Sequence, residues 1–284
     1  MESGSDVQTG SGPVIGVFDS GFGGLTVLKA LLKRMPNARF VFLGDTARLP
    51  YGSKSRRIIA RYAAESAQFL VNQQGARYLI IACNTASALA LDAIQEAVTV
   101  PVLGVIEPGA SAAAQHSVSK DVLVIATEAT VASHAYAAAC RAQGLRGVEK
   151  ACPLLVPLVE EGWIDHPVTA EVVRIYLSEL LADATAAGQS PDTLVLGCTH
   201  YPLLRPIFES AVPRGMRVID SAQATADEAA RRLGASQSES SADHPGRRPV
   251  IRCFATDSVE KFERLGSRFL GLPVGKVELV DLGG

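Results

Sequence analysis

Two short stretches constrain this chain more than any other feature: Leu79-Ile80-Ile81-Ala82-Cys83-Asn84-Thr85 and Leu194-Val195-Leu196-Gly197-Cys198-Thr199-His200. Each is an apolar run rich in branched residues, then a small residue, a cysteine and polar residues. Such a run suits a strand buried in a parallel sheet. The small residue lets backbone or ligand approach closely. The cysteine falls just past the carboxyl end of its strand, where open α/β sheets place their ligands. Two thiols at two equivalent strand ends predict a site with a cysteine on either side.

The segments around these stretches repeat. Val14 to Phe18 reads as a strand, Asp19-Ser20-Gly21-Phe22-Gly23-Gly24 as a tight turn, and Leu25, Leu28, Leu31 and Leu32 as a helical stripe ending before Pro36. A strand over Phe40 to Leu43, a loop at Leu49-Pro50-Tyr51-Gly52 and a helix from about Ser55 to Gln74 lead to the first cysteine strand. A helix from about Thr85 to Val98 and a strand over Val102 to Ile106 follow it. The pattern then restarts with a strand over Asp121 to Ala126, a turn at Thr127 to Thr130 and a helix from about Ser133 to Gln143. A strand over Lys150 to Leu155, a loop at Pro157 to Gly162 and a helix from about Thr169 to Ala187 lead to the second cysteine strand. Alternating strands and helices mean βαβ units.

The reading is α/β. It has two similar parallel-sheet domains, related by a pseudo-twofold axis, with the site in the cleft between them. The first domain is expected to comprise residues 14–106 plus a returning tail, 221–284, and the second residues 107–220. In that tail, Ile251 to Phe254 reads as a strand, and Asp257 or Ser258 as the N-cap of a helix through Phe269. Residues 1–13 read as a flexible leader and residues 236–249 as a flexible surface loop, both rich in Ser and Gly or charge and without apolar period.

Composition narrows the function. The net charge is −2 and no basic cluster is extended, so neither nucleic acid nor membrane is an expected partner. Five widely spaced cysteines, with no C-x-x-C pair, argue against a disulfide framework or a zinc site and suit a reducing cytoplasm. Cys140, Cys152 and Cys253 read as small buried hydrophobes.

The turn at Asp19 to Gly24 partly resembles a dinucleotide fingerprint, with Asp45 ending the second strand. Thr26 stands where the third glycine belongs, and Asp19 would set a carboxylate beside the pyrophosphate. A better use of the loop is a set of backbone N–H groups holding a small carboxylate; a plain strand-to-helix turn fits the loop equally well. A helix starting just after Cys83 would lower its pKa, and His200 could act similarly on Cys198. Asn84 and Thr85 could also simply cap that helix. Two thiols on opposite faces of a ligand suit proton removal from one face of a carbon and proton delivery to the other.

These residues carry a resemblance. Val17 to Leu25, Leu49-Pro50-Tyr51-Gly52, Ala82-Cys83-Asn84-Thr85-Ala86-Ser87, Val156-Pro157-Leu158-Val159-Glu160 and Leu196 to Leu204 resemble, in order, the motifs of the glutamate racemases, in the cofactor-independent two-cysteine amino-acid racemase group. The resemblance covers nearly everything from Val14 to Leu272. It implies that Cys83 and Cys198 are the acid/base pair, with Asp19 assisting Cys83, and Glu160 and His200 assisting Cys198. It implies that Asp19, Ser20, Tyr51, Gly52, Asn84, Thr85, Thr199 and His200 line the substrate and that Thr130 helps hold a carboxylate. It further implies glutamate as substrate, no pyridoxal phosphate, metal or nucleotide, a cytoplasmic homodimer, and D-glutamate made for the bacterial cell wall. Where the family usually has Gly-Thr, this chain has Ala126-Thr127, a methyl expected to tighten that turn. Two rival readings are a sister racemase acting on aspartate or a hydantoin, and a two-lobed binding protein without catalysis.

Overall fold

The branched apolar runs form two parallel sheets whose strands end toward one shared cleft. The computed structural model describes residues 13–235 and 250–283, so the expected leader, apart from Pro13, and the expected 236–249 loop lie outside the described residues. In chain order the first half runs β1 (Val14–Asp19), α1 (Leu25–Arg34), β2 (Arg39–Gly44), α2 (Arg56–Gln68), β3 (Tyr78–Ile81), α3 (Asn84–Leu89), α4 (Leu91–Ala97), β4 (Val102–Gly104) and α5 (Ile106–His116). The second half runs β5 (Asp121–Ala126), α6 (Glu128–Ser133), α7 (Ala135–Ala142), β6 (Arg146–Ala151), α8 (Leu155–Glu160), α9 (Pro167–Ala186), β7 (Thr193–Gly197), α10 (Arg205–Ala211), β8 (Arg217–Asp220) and α11 (Ser221–Arg232). The chain closes with β9 (Val250–Ala255), α12 (Val259–Leu270) and β10 (Val277–Leu279).

The first sheet has the order β10-β9-β2-β1-β3-β4 and the second β6-β5-β7-β8. Stripped of β9 and β10, the first becomes β2-β1-β3-β4, the same order as the second when counted from its own first strand. In both sheets strand order reverses between the first and third strands, where crevices for ligands open. Asp19 and Cys83 emerge on either side of that point in one sheet, and Thr127 and Cys198 in the other. A common apolar core containing Val17, Phe22, Leu25, Leu123, Leu196 and Tyr201 continues between the sheets.

Several boundaries depart from the sequence expectation, each for a local reason. The helix expected over residues 85–98 starts at Asn84, with Cys83 as its cap, and breaks at Ala90, whose φ is −134°. The helix expected from Ser133 starts at Ala135, because His134 adopts φ +55° and separates α6 from α7. The strand expected over 150–155 lies at 146–151, and the expected loop at 157–162 is largely α8. That strand is an edge strand, partly exposed and carrying Arg146, Glu149 and Lys150, so it lacks an apolar run. Ser258 takes the N-cap position of α12 but sits at φ +54° without a side-chain capping bond.

α12 buries Phe262, Leu265, Phe269 and Leu270, with the Phe262 ring 5.8 Å from Phe42 and 6.3 Å from Phe22. The turn before α12 is tied to the segment after β2. Asp257 N–H donates to Thr46 Oγ1 at 2.9 Å, and Thr256 Oγ1 donates to Asp45 Oδ1 at 2.9 Å. This pins the start of α12 to the first sheet.

Candidate active site

A cleft of about 390 Å³ opens between the two sheets, and both Cys83 and Cys198 line it. Ser20, Tyr51, Gly52, Asn84, Thr85, Glu160, Thr199 and His200 share its walls. Two of the expected residues do not line it. Thr130 is fully buried one layer back, where its hydroxyl meets those of Thr127 at 2.9 Å and Thr85 at 3.2 Å. Thr127 is the member of that group that reaches the cleft, and its hydroxyl also meets Thr85 at 3.0 Å, from one half of the chain to the other.

Asp19 likewise sits behind the wall, 1% exposed. Gly21 N–H donates to its Oδ2 at 3.0 Å and the Gly24 amide also faces it. Hence the Gly-rich turn directs those amides to its own aspartate, not to a ligand carboxylate, and only Ser20 of the turn reaches the cleft. Burial raises the Asp19 pKa, against the opposing pull of the His200 charge and these amides. The Asp19 charge acts on both Cys83 and His200, and Oδ1 has no hydrogen-bond partner among the described residues.

Cys83 caps α3, receiving Ala86 N–H at 3.4 Å and donating to Ser20 Oγ at 3.4 Å. The expected lowering of its pKa by the helix start does not prevail. Burial and then the Asp19 charge push the thiol up to about 12, outweighing the Ser20 and Ala86 hydrogen bonds. Cys83 thus rests as a thiol at neutral pH.

Cys198 has a different setting. His200 Nδ1 lies 4.0 Å from its sulfur, and His200 Nε2 lies 3.3 Å from Glu160 Oε1. Burial alone would lower the His200 pKa, but hydrogen bonds to Cys198 and Glu160 win and hold it up at about 10. Burial would raise the Glu160 carboxyl; His200 and Lys261 outweigh that and lower it. The result is an imidazolium held between a carboxylate and a sulfur.

The His200 ring is packed on the Phe22 and Phe269 rings, at 6.2 and 5.1 Å, and against the Gly-rich turn. A Cβ on Gly23 would come within 2.4 Å of Thr199 Oγ1 and 2.6 Å of His200 Nδ1. Gly23→Ala is therefore expected to displace His200. It should lower kcat about tenfold or more and cost about 1–3 kcal/mol of stability, as overpacking does, checked by steady-state kinetics and thermal unfolding.

The Cys198 strand explains its own small residue. A Cβ on Gly197 would lie 2.9 Å from Tyr136 Cε2, 2.9 Å from the Ile125 carbonyl and 3.2 Å from the Ala126 methyl. The departure at Ala126 is thus accommodated opposite a glycine. Tyr136 is fully buried and donates to Asn84 Oδ1 at 2.6 Å, across the two halves. Asn84 Nδ2 has no hydrogen-bond partner among the described residues, although it is buried at the cleft wall.

Sequence reasoning missed four cleft residues of note: Thr127, Glu128, Cys152 and Lys261. Thr127 was legible as a strand-end hydroxyl equivalent to Ser20. Cys152, a small buried hydrophobe by its sequence context, also lines the cleft. It is buried, its thiol is pushed up to about 12 by burial, and its carbonyl accepts from Tyr201 at 3.1 Å. Lys261 carries no sequence signal, being one polar residue on an amphipathic helix.

Two thiols face one cleft from equivalent strand ends, an arrangement that suits acid/base chemistry on a small ligand. The family model for Asp/Glu/hydantoin racemase matches residues 24–229, and the chain belongs to that family. Over nearly its whole length it is similar to the glutamate racemase of Koribacter versatilis (strain Ellin345), at 53% identity over 96% of this chain and 98% of that protein. Among solved structures it is similar to glutamate racemase isoform RacE1 from Bacillus anthracis, with a TM-score of 0.84, 36% identity, and 95% and 98% of the two chains covered. It is also similar to the glutamate racemase from Francisella tularensis solved in complex with D-glutamate, with a TM-score of 0.82, 35% identity, and 96% and 99% covered.

Proposed function

We infer that this chain interconverts L- and D-glutamate by moving a proton at Cα between two cysteines. The observation that carries the reading is the pair of cleft-facing thiols at equivalent strand ends, within a chain 53% identical to a glutamate racemase. One sulfur, as thiolate, takes the Cα proton, and the electron pair of that bond passes into the adjacent carboxylate. The other, as thiol, gives its proton to the opposite face. The roles swap in the reverse direction, so the reaction needs no external oxidant or reductant.

In the free protein the imidazolium of His200 compensates negative charge at the Cys198 end, whereas Asp19 opposes it at the Cys83 end. We assign Cys83 as the resting acid. Asp19 assists Cys83, and Glu160 assists Cys198 through His200. The charge that develops on the substrate carboxylate needs donors fixed in advance, in a cleft that holds little water. Asn84, Thr85, Thr127, Thr199 and Ser20 are the donors to hand, and Asn84 Nδ2 is a buried donor left open. Thr130 holds Thr85 and Thr127 from behind; Tyr51 and Gly52 form the wall beside Thr127.

If Asn84 is such a donor, Tyr136→Phe should loosen it. That variant leaves Asn84 Oδ1 buried without its donor, a loss worth about 1–3 kcal/mol. The expected result is a glutamate KM raised roughly fivefold or more, with a lower unfolding midpoint.

The test of the activity is to incubate the purified protein with L-glutamate, L-aspartate or a hydantoin, with no cofactor added, and follow the loss of optical activity. Loss with glutamate at the highest rate supports the reading. A faster loss with aspartate or the hydantoin changes the substrate, and tight binding without turnover replaces the enzyme by a binding protein. Work in the cytoplasm as a homodimer, making D-glutamate for the cell wall, belongs to the same proposal and rests on family likeness. Among the described residues, no helix is long and apolar enough to cross a membrane.

A further inference from the structure

We propose that Lys261 is a positioning residue for the Cys198 arm, acting from the opposite wall of the cleft through Glu160. The inference rests on the racemase reading above. Lys261 stands in the first turns of α12, whose start is pinned to the first sheet through Thr46, Asp45 and Thr256. Glu160 ends α8 in the other half of the chain. The Lys261 ammonium lies 3.2 Å from Glu160 Oε2 and 5.6 Å from the centre of the Phe22 ring, and it lines the cleft.

The two Glu160 oxygens are divided between two cations. Oε2 meets Lys261, and Oε1 meets His200 Nε2. With Oε2 fixed, Oε1 is held toward the imidazole, whose other nitrogen faces Cys198. The chain of alternating charge therefore starts on one half of the molecule and ends at the sulfur on the other. Its geometry depends on the cleft being closed, since separating the halves removes Lys261 from Glu160.

The Lys261 side chain is 43% exposed, so the pair contributes little to stability, and salt screens it. Its effect is on the orientation and charge of Glu160. The groups that face His200 are Cys198, Glu160, the Thr199 hydroxyl and the Phe22 and Phe269 rings, with Asp19 acting through its charge. Lys261, carried by the returning tail, is a cation that acts directly on Glu160.

The experiment compares wild type, Lys261→Met, Lys261→Arg, Glu160→Gln and the Lys261→Met/Glu160→Gln double variant by kcat and KM for glutamate at low and high salt. The His200 titration is followed by NMR in the first three. Lys261→Met should lower kcat roughly fivefold and change KM less. It should also move the His200 midpoint up, because the cation that offsets the Glu160 charge beside the imidazolium is gone, and leave the melting temperature nearly unchanged. Added salt should narrow the gap between wild type and Lys261→Met, and Lys261→Arg should recover most of the loss. In the Glu160→Gln background the methionine should add no further loss. A wild-type kcat and an unmoved His200 in Lys261→Met would overturn the proposal. So would a loss that persists undiminished beside Glu160→Gln. An inactive wild type would instead overturn the racemase reading, and this inference with it.

Discussion

Replacing either Cys83 or Cys198 with alanine is expected to lower racemisation of glutamate by about 10³-fold or more. Each variant keeps one group able to exchange a proton and loses the group that addresses the other face. A positioned acid or base is worth about 10²–10⁴ in rate, and inversion has no route that uses only one. Neither substitution should disturb the fold severely, because each removes one sulfur at a cleft wall rather than a large core side chain. Circular dichroism and the unfolding midpoint check that the protein remains folded. The informative residual is exchange with solvent. Each single variant should still exchange the Cα proton of one enantiomer, and the two variants should favour opposite enantiomers. Residual exchange of the same enantiomer by both would mean that the two sulfurs do not face opposite sides of the substrate.

His200→Asn is the second large effect, expected to reduce kcat by about 10²–10³-fold with a smaller change in KM. The asparagine keeps a polar side chain near Cys198 but carries no proton that titrates and no positive charge. Stability should respond to pH as well. The His200 pKa is raised in the fold to about 10 from an ordinary 6.5. A raised pKa gives a stabilising contribution that is full below about pH 6.5 and is lost as pH climbs through about 10. The stability gap between wild type and His200→Asn should therefore be widest below pH 6.5 and narrow across pH 6.5–10, as measured by urea unfolding at several pH values. A gap that widens as pH rises would show that the imidazolium is not favoured by the fold.

The legible part of this molecule was its interior. The two cysteine strands are buried along their whole length, so nearly every residue is apolar and the strand ends stand out against them. The repeat of strand, turn and cysteine then gave the two-sheet plan. Strands at the sheet edges were harder to see: β6 was misplaced by several residues, and β8 and β10 were missed, because partly exposed strands carry charged residues and no run. α5 was hidden too, since Pro108 and Gly109 break the usual helical signal within its first turns.

The site divides similarly. Residues beside the cysteines in sequence, such as Asn84, Thr85, Thr199 and His200, were legible because their strand ends aim them into the cleft. The direction of the Cys83 shift was not. A helix start is visible in sequence, but the burial and the Asp19 charge that outweigh it arise only when β1 and β3 pair. Thr130 and Asp19 lie one layer behind the cleft wall that the resemblance implies for them, for a related reason. Hydroxyl and carboxylate groups near a strand end read alike whether they face a ligand or support the residue that does.

The most direct test of the central claim is the fate of the Cα proton in D₂O at low conversion, starting separately from L- and from D-glutamate. Two cysteines acting from opposite faces predict that nearly every product molecule carries deuterium at Cα, while unreacted substrate keeps its protium, in both directions. Product that retains the original protium would mean that one group both removes and returns the proton, which would contradict the two-cysteine account.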